Sequence, residues 1–199
     1  MRGDVAVVIL AGGSGQRIGG GKPLKQLGGE RLVDRALRQA GSWSDTIAIA
    51  VRDPMQVQPI DAILIHDEPQ FEGPLGGLIA ALRFADKAAC DLLLTIPADM
   101  PFLPGNLADK LAQALAGHGC ALARSGGHMH PVCALWRTAS LDHVHPYVAG
   151  EDRSLKGFAK AVGSIEVEWP IDRQDPFFNV NTAADLAAAA IVQRRRMQS

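Results

Sequence analysis

The segment Asp4-Val-Ala-Val-Val-Ile-Leu-Ala11 is apolar at every position after the aspartate, rich in β-branched residues, and runs directly into Gly12-Gly13-Ser14-Gly15. A strand with one solvated face alternates polar and apolar residues. An unbroken apolar strand must instead be covered on both faces, which is the condition of a strand inside a parallel sheet between layers of helices. The glycines then fall at the carboxyl end of that strand, where open α/β sheets collect their ligands.

The rest of the chain fits such a sheet. Short apolar stretches at 46–51, 62–65 and 91–96 predict further strands, with helical patterns between several of them. Over 31–40, Leu32, Ala36, Leu37 and Ala40 share one helical face ahead of Gly41, a natural C-terminal cap. Leu107, Leu111 and Leu115 make a similar stripe. Beyond Cys120 the pattern is less regular, with strands expected at 131–136 and 165–169 and helices at 155–162 and 183–195. The fold class is α/β, with a mostly parallel sheet between two helical layers. The chain has 199 residues and no linker, repeat or low-complexity tract, so residues 1–199 are expected to form a single domain.

Composition excludes several function classes. Net charge is −1 and the basic residues are scattered apart from Arg194-Arg195-Arg196, so no nucleic-acid-tracking surface is expected and the terminal run reads as a solvated helix end. No apolar run approaches the ~20 residues of a membrane span. The first strand lacks the basic start and cleavage site of a signal peptide, so a cytoplasmic protein is expected. Cys90, Cys120 and Cys133 are odd in number and far apart, which predicts buried reduced thiols and neither a disulfide framework nor a zinc site.

The loop from Leu10 to Pro23 offers many backbone N–H groups unobstructed by Cβ atoms, together with Arg17 and Lys22. Glycine permits the positive φ of an anion-holding nest, a guanidinium can fork onto phosphate oxygens, and an ammonium supplies a compact positive charge. A flexible surface loop is the bland alternative. A Walker A loop would need Gly at 16 and Ser or Thr at 23, where Gln16 and Pro23 stand; the dinucleotide fingerprint fails at Ile18.

Asp99, flanked by Pro97 and Pro101 after the strand at 91–96, should project from a stiff loop at a strand's carboxyl end. A carboxylate there suits magnesium, a hard cation that bridges the phosphate oxygens of a nucleoside triphosphate. The competing reading is a cap for a helix over 104–116. Asn179 and Asn181 bracket Val180 at period two, so both amides should face one side and can bind phosphate or complete a metal shell, or else form a turn ahead of a helix capped by Thr182. The glycines of 73–77, Gly76 among them, either admit a nucleotide to a helix start or permit tight helix packing. His128-x-His130 and His143-x-His145 lack further ligands at a recognised spacing and read as solvated loop residues.

Leu10-Ala11-Gly12-Gly13 followed by Arg17, a glycine pair and Lys22, then Asp67, Gly73-Pro74-Leu75-Gly76-Gly77, Pro97-Ala98-Asp99-Met100-Pro101 and Phe178-Asn179-Val180-Asn181-Thr182, resembles the molybdenum cofactor guanylyltransferases of the nucleotidyltransferase superfamily. These motifs lie in the family's order over nearly the whole chain. The resemblance implies a Rossmann-like three-layer nucleotidyltransferase fold and transfer of GMP from GTP to the phosphate of molybdenum-molybdopterin. It implies that Leu10, Ala11, Gly12, Gly13, Lys22, Asp67, Gly76 and Asp99 bind nucleotide, that Arg17, Lys22 and Asp99 serve catalysis, and that Asp99 and Asn181 hold Mg2+. His130-Pro131 matches a His-Pro step of the family, and with Arg153, Asn179 and Asn181 marks an acceptor-binding side. GTP and a molybdopterin-type acceptor are the implied ligands, with transient contact to other molybdenum cofactor proteins and none to nucleic acid or membrane. The chain departs from the family at Gly21, where an aspartate is usual, and at Ala50, where an asparagine is. Those departures leave open cytidylyl transfer, sugar-phosphate acceptors, and a non-catalytic nucleotide sensor.

Overall fold

The computed structural model describes residues 4–12, 21–71, 73–150 and 152–197. Strand β1 (Val5–Leu10) lies between β4 (Thr46–Val51) and β6 (Leu92–Pro97), parallel to both, with Leu10 opposite Ala50 on one side and Pro97 on the other. Val5 to Ile9 are buried on both faces, as an unbroken apolar run requires. β5 (Ile63–His66) adds a parallel edge beyond β4. On the other flank β8 (His128–Arg137) pairs antiparallel with β6 and with β7 (Cys120–Ser125), and β9 (Ser164–Trp169) closes the sheet parallel to β7. The order is β5-β4-β1-β6-β8-β7-β9, and every strand but β8 points the same way. A small hairpin, β2 (Gln26–Leu27) with β3 (Glu30–Arg31), stands apart from it.

Helices α1 (Leu32–Ala40) and α3 (Leu107–Leu115) cover one face of the sheet, burying Val33, Ala36, Ala40, Leu107, Leu111 and Leu115 against alternate residues of β1, Val5, Val7 and Ile9. On the other face α2 (Leu75–Lys87) packs on Ala6, Val8, Ala48 and Ala50, α5 (Leu155–Ala161) covers β8 and β9, and the short α4 (Val144–Val148) adds Val144. Small residues on that face let α2 approach closely, and Trp136 and Phe158 fill the space further along. Helix α6 (Ala183–Met197) returns over a third cluster of Leu27, Leu32, Phe102, Val180 and Ala189. Gly41 ends α1 as expected, but with φ −62°, so the left-handed freedom of glycine is not used there. Among the described residues no helix is long and apolar enough to cross a membrane.

The irregular stretch beyond Cys120 turns out to be a β-hairpin. Gly126 (φ 54°) and Gly127 (φ 78°) make the two-residue positive-φ turn that matches the strand twist. β7 was not expected from the apolar pattern, although the Gly-Gly dipeptide was its signal. The register of β7 on β8 shifts between Leu122 and Ala123, opposite residues 131–133, so Pro131 sits where no ladder hydrogen bond is required of it. The three cysteines are buried and unpaired.

Candidate active site

The carboxyl ends of β1, β4, β5 and β6 border a cavity of ≈310 Å³, just within the size range of small-molecule sites. Leu10 and Gly12 reach its wall, whereas Ala11 between them packs into the opposite core layer. Gly13 and Arg17 lie outside the described residues. Lys22 opens a single 3-10 turn, Lys22–Leu24, held by the left-handed Gly21 before it (φ 57°, ψ 33°) and by the buried Pro23 within it. The backbone conformation of Gly21 is one that a β-carbon would strain.

The Lys22 ammonium forms an ion pair with Asp99 Oδ2 and donates to Asn181 Oδ1 at 2.7 Å and Asn179 Oδ1 at 3.3 Å. An ammonium has three N–H donors, so these three oxygens satisfy it. Asp99 is fixed from both sides. Ala98 N–H donates to the Leu10 carbonyl, Val180 N–H donates to the Asp99 carbonyl at 2.9 Å, and Ala98 and Met100 are buried. The other carboxylate oxygen, Oδ1, is buried and has no hydrogen-bond partner among the described residues. Asp99 caps no helix, since α3 starts eight residues later with Asn106 before it.

The asparagine pair shares one side, as period two requires, and also leads into a capped helix. Val180 is fully buried in the α6 cluster, which turns Asn179 and Asn181 together toward Lys22. Thr182 caps α6: its Oγ1 accepts from Asp185 N–H at 3.1 Å, and Asp185 Oδ2 accepts from Asn181 and Thr182 N–H.

Asp67 follows β5 and extends its pairing, donating from N–H to the Val51 carbonyl. Its carboxylate lies against two glycines: a β-carbon at Gly12 would collide with Oδ2, and one at Gly77 would approach Oδ1 to 3.2 Å. Oδ1 is buried with no hydrogen bond among the described residues, and Arg52 Nε stands 3.9 Å from Oδ2. Burial pushes the Asp67 carboxyl above its ordinary value, against the opposing pull of Arg52 and His66. The folded chain therefore holds a proton at Asp67 more tightly than the unfolded chain does. Ionised Asp67 costs stability, and the cost grows as pH rises through the ordinary carboxylate range toward the raised value. Asp67→Asn is expected to raise Tm at pH 7, with the gain shrinking as the pH falls toward about 4. Thermal unfolding at the two pH values checks this; an equal gain at both, or none, contradicts it.

Gly73 and Gly77 line the cavity, but Gly76 does not. A β-carbon at Gly76 would stand 2.7 Å from the Glu68 carbonyl oxygen, and its own carbonyl accepts from Glu68 N–H, so the residue serves packing of α2 on the loop after β5. Of the two neighbours it is Gly77, and not Gly76, that reaches the cavity wall. His130 and Arg153 are also absent from the cavity wall. His130 Nε2 lies 2.8 Å from Ser125 Oγ, which gives its only proton to Asp175 Oδ1, so Nε2 carries the hydrogen and donates. The ring stacks on Phe177 at 4.7 Å, and burial holds its pKa below the usual histidine value. Arg153 is exposed ahead of α5, as are His128, His143 and His145 at their own positions. Among the described residues no three His, Cys, Asp or Glu side chains gather as a metal cluster.

Two cavity residues escaped the sequence reading. Val132 reaches the wall from the irregular segment of β8, which apolar pattern alone does not reveal. Arg52 is the first residue after β4, where the rule that ligands sit beyond strand ends would have found it.

The MobA-like NTP transferase domain matches residues 7–165 of this chain. The chain belongs to the MobA-like NTP transferase family. It is 38% identical over 192 residues to the molybdenum cofactor guanylyltransferase of Cereibacter sphaeroides, covering 94% of this chain and 96% of the relative. Among solved structures, the molybdopterin-guanine dinucleotide biosynthesis protein A of Archaeoglobus fulgidus superposes with a TM-score of 0.75 at 23% identity, covering 96% and 99% of the two chains. The 4-diphosphocytidyl-2C-methyl-D-erythritol synthase of Anaerococcus prevotii follows at 0.74 and 14% identity, covering 96% of each. For a MobA-like NTP transferase, then, the fold alone does not separate guanine from cytosine chemistry.

Proposed function

We propose that this chain transfers GMP from GTP to the phosphate of molybdenum-molybdopterin, releasing pyrophosphate. The observation that carries the reading is the convergence of Asp99, Asn179 and Asn181 on Lys22 beside a glycine-lined cavity, in a chain 38% identical to a molybdenum cofactor guanylyltransferase. An acceptor phosphate oxygen attacks the α-phosphorus of GTP, a new P–O bond forms, and the bond to the β-phosphate breaks with its electrons leaving on pyrophosphate. A phosphate oxygen is already anionic and needs no general base. What the reaction demands is in-line placement and neutralisation of charge on the α-phosphate and leaving group.

Lys22 supplies that charge by exchanging one of its three oxygen partners for a phosphate oxygen. Backbone N–H groups at Leu10 to Gly13 and the Arg17 guanidinium are assigned to the phosphates, and Asp67 to the base. The buried, unpartnered Oδ1 of Asp99 and the all-oxygen character of the set fit a hard cation. Asp99 with Asn181 would hold Mg2+, which when bound offsets phosphate charge. Asn179, His130 and Arg153 are assigned to the acceptor side, Asn179 having the strongest claim because it lines the cavity. The reaction is assigned to the cytoplasm, in keeping with three unpaired buried thiols, with the acceptor exchanged through transient contact with other molybdenum cofactor proteins.

Pyrophosphate release from purified protein with magnesium, molybdenum-loaded molybdopterin and each of the four nucleoside triphosphates tests the reading. Acceptor-dependent release with GTP alone is expected. Release with CTP instead would change the nucleotide, and silence with all four would overturn the activity.

A further inference from the structure

Once Lys22, Asp99 and the asparagines are assigned to phosphate, the cavity retains a slot bounded by Gly12 and Gly77 with one carboxylate and one guanidinium, Asp67 and Arg52. The two stand side by side as a loose ion pair at the cavity wall. The 3.9 Å from Arg52 Nε to Asp67 Oδ2 is beyond hydrogen-bond reach, Asp67 Oδ1 is buried with no donor, and the Arg52 guanidinium has no hydrogen bond of its own among the described residues. Gly12 packs directly against both side chains: a β-carbon there would collide with Asp67 Oδ2 and stand 3.5 Å from Arg52 Cγ, so only glycine lets the two face the cavity side by side. Arg52 also occupies the place where β4 delivers a side chain to the site. Ala50, two residues earlier on the same face, is wholly buried under α2.

Guanine carries two adjacent donors, N1–H and the 2-amino group, beside two adjacent acceptors, O6 and N7. A carboxylate accepts from both donors, and arginine forks onto O6 and N7. Cytosine offers one donor group next to acceptors and cannot satisfy both partners. We propose that Arg52 and Asp67 together select guanine, Asp67 accepting from N1–H and the 2-amino group while Arg52 donates to O6 and N7. The inference rests on the guanylyl reading of the same cavity and adds Arg52 as its specificity-determining residue.

Calorimetric binding of GTP, inosine triphosphate, 2-aminopurine riboside triphosphate and CTP to the wild type, Arg52→Ala and Asp67→Asn tests the pair. Arg52→Ala is expected to weaken GTP and inosine triphosphate by about tenfold to a hundredfold. The same change should weaken 2-aminopurine riboside triphosphate, which lacks O6, far less, and leave CTP unchanged. Asp67→Asn should bring GTP down to the affinity of inosine triphosphate, which lacks the 2-amino group. Arg52 is half exposed, so an unchanged Tm serves as the control for folding. A wild type that prefers GTP, with Arg52→Ala retaining that preference and affinity, overturns the pair alone. A wild type that does not prefer GTP to CTP overturns the guanylyl reading and the pair with it.

Discussion

Lys22→Ala is expected to lower the rate of nucleotidyl transfer at least ~10²-fold, and Asp99→Asn to do the same, the scale seen when one preorganised charge-stabilising group is lost. The two residues touch each other and share the asparagine cradle. Removing the ammonium leaves three oxygens facing one another without the donor that gathers them, and removing the carboxylate charge frees the ammonium from its place. Residues that act as a unit do not add, so the double variant should lose no more than the worse single one. Lys22→Arg is not expected to rescue, because a planar fork cannot direct donors at three oxygens converging on one point. Single-turnover pyrophosphate release measures all four proteins; wild-type rates in Lys22→Ala or Asp99→Asn sink the assignment. A loss that simply multiplied in the double variant would separate their roles.

Trp136→Ala is expected to cost about 3–5 kcal/mol of stability, the range for truncating a large buried aromatic. Trp136 has no exposed surface, stacks on Phe158 at 5.8 Å, and donates from Nε1 to Thr95 Oγ1 at 3.1 Å. The substitution therefore opens a void between β8 and α5 and strips a buried hydroxyl of a partner. In a chain of this size each kcal/mol moves Tm by about 2–4 °C, so a fall of roughly 6–20 °C is expected in thermal unfolding. Trp136 lines no part of the cavity, and activity per folded molecule should survive at low temperature. A Tm within about 2 °C of the wild type would mean that the two layers close over the gap.

The distance between sequence and site is instructive at particular residues. Asp99 was legible because a carboxylate after an apolar strand, flanked by prolines, has few other uses, and Asn179 with Asn181 because period two in an extended segment fixes which side they share. At Gly76 and Gly77 a cluster of glycines announces close approach without saying which one meets backbone and which one lines the cavity. Arg52 was overlooked because its place just beyond a strand end marks a position without naming a partner. Its meaning comes from Asp67, fifteen positions away in the chain and on a neighbouring strand end.

Local chemistry thus settled the elements of this MobA-like NTP transferase within the sequence itself: an apolar run that needs cover on both faces and helical stripes that supply it. Those properties depend on neighbours a few residues apart, so composition and spacing carry them. The tertiary structure alone decided that β8 runs against the other strands, that Pro131 rests at a register shift, and that Arg52 faces Asp67 across a slot. Each of these depends on which strand lies beside which, and residues distant in the chain meet only once the sheet has closed its order.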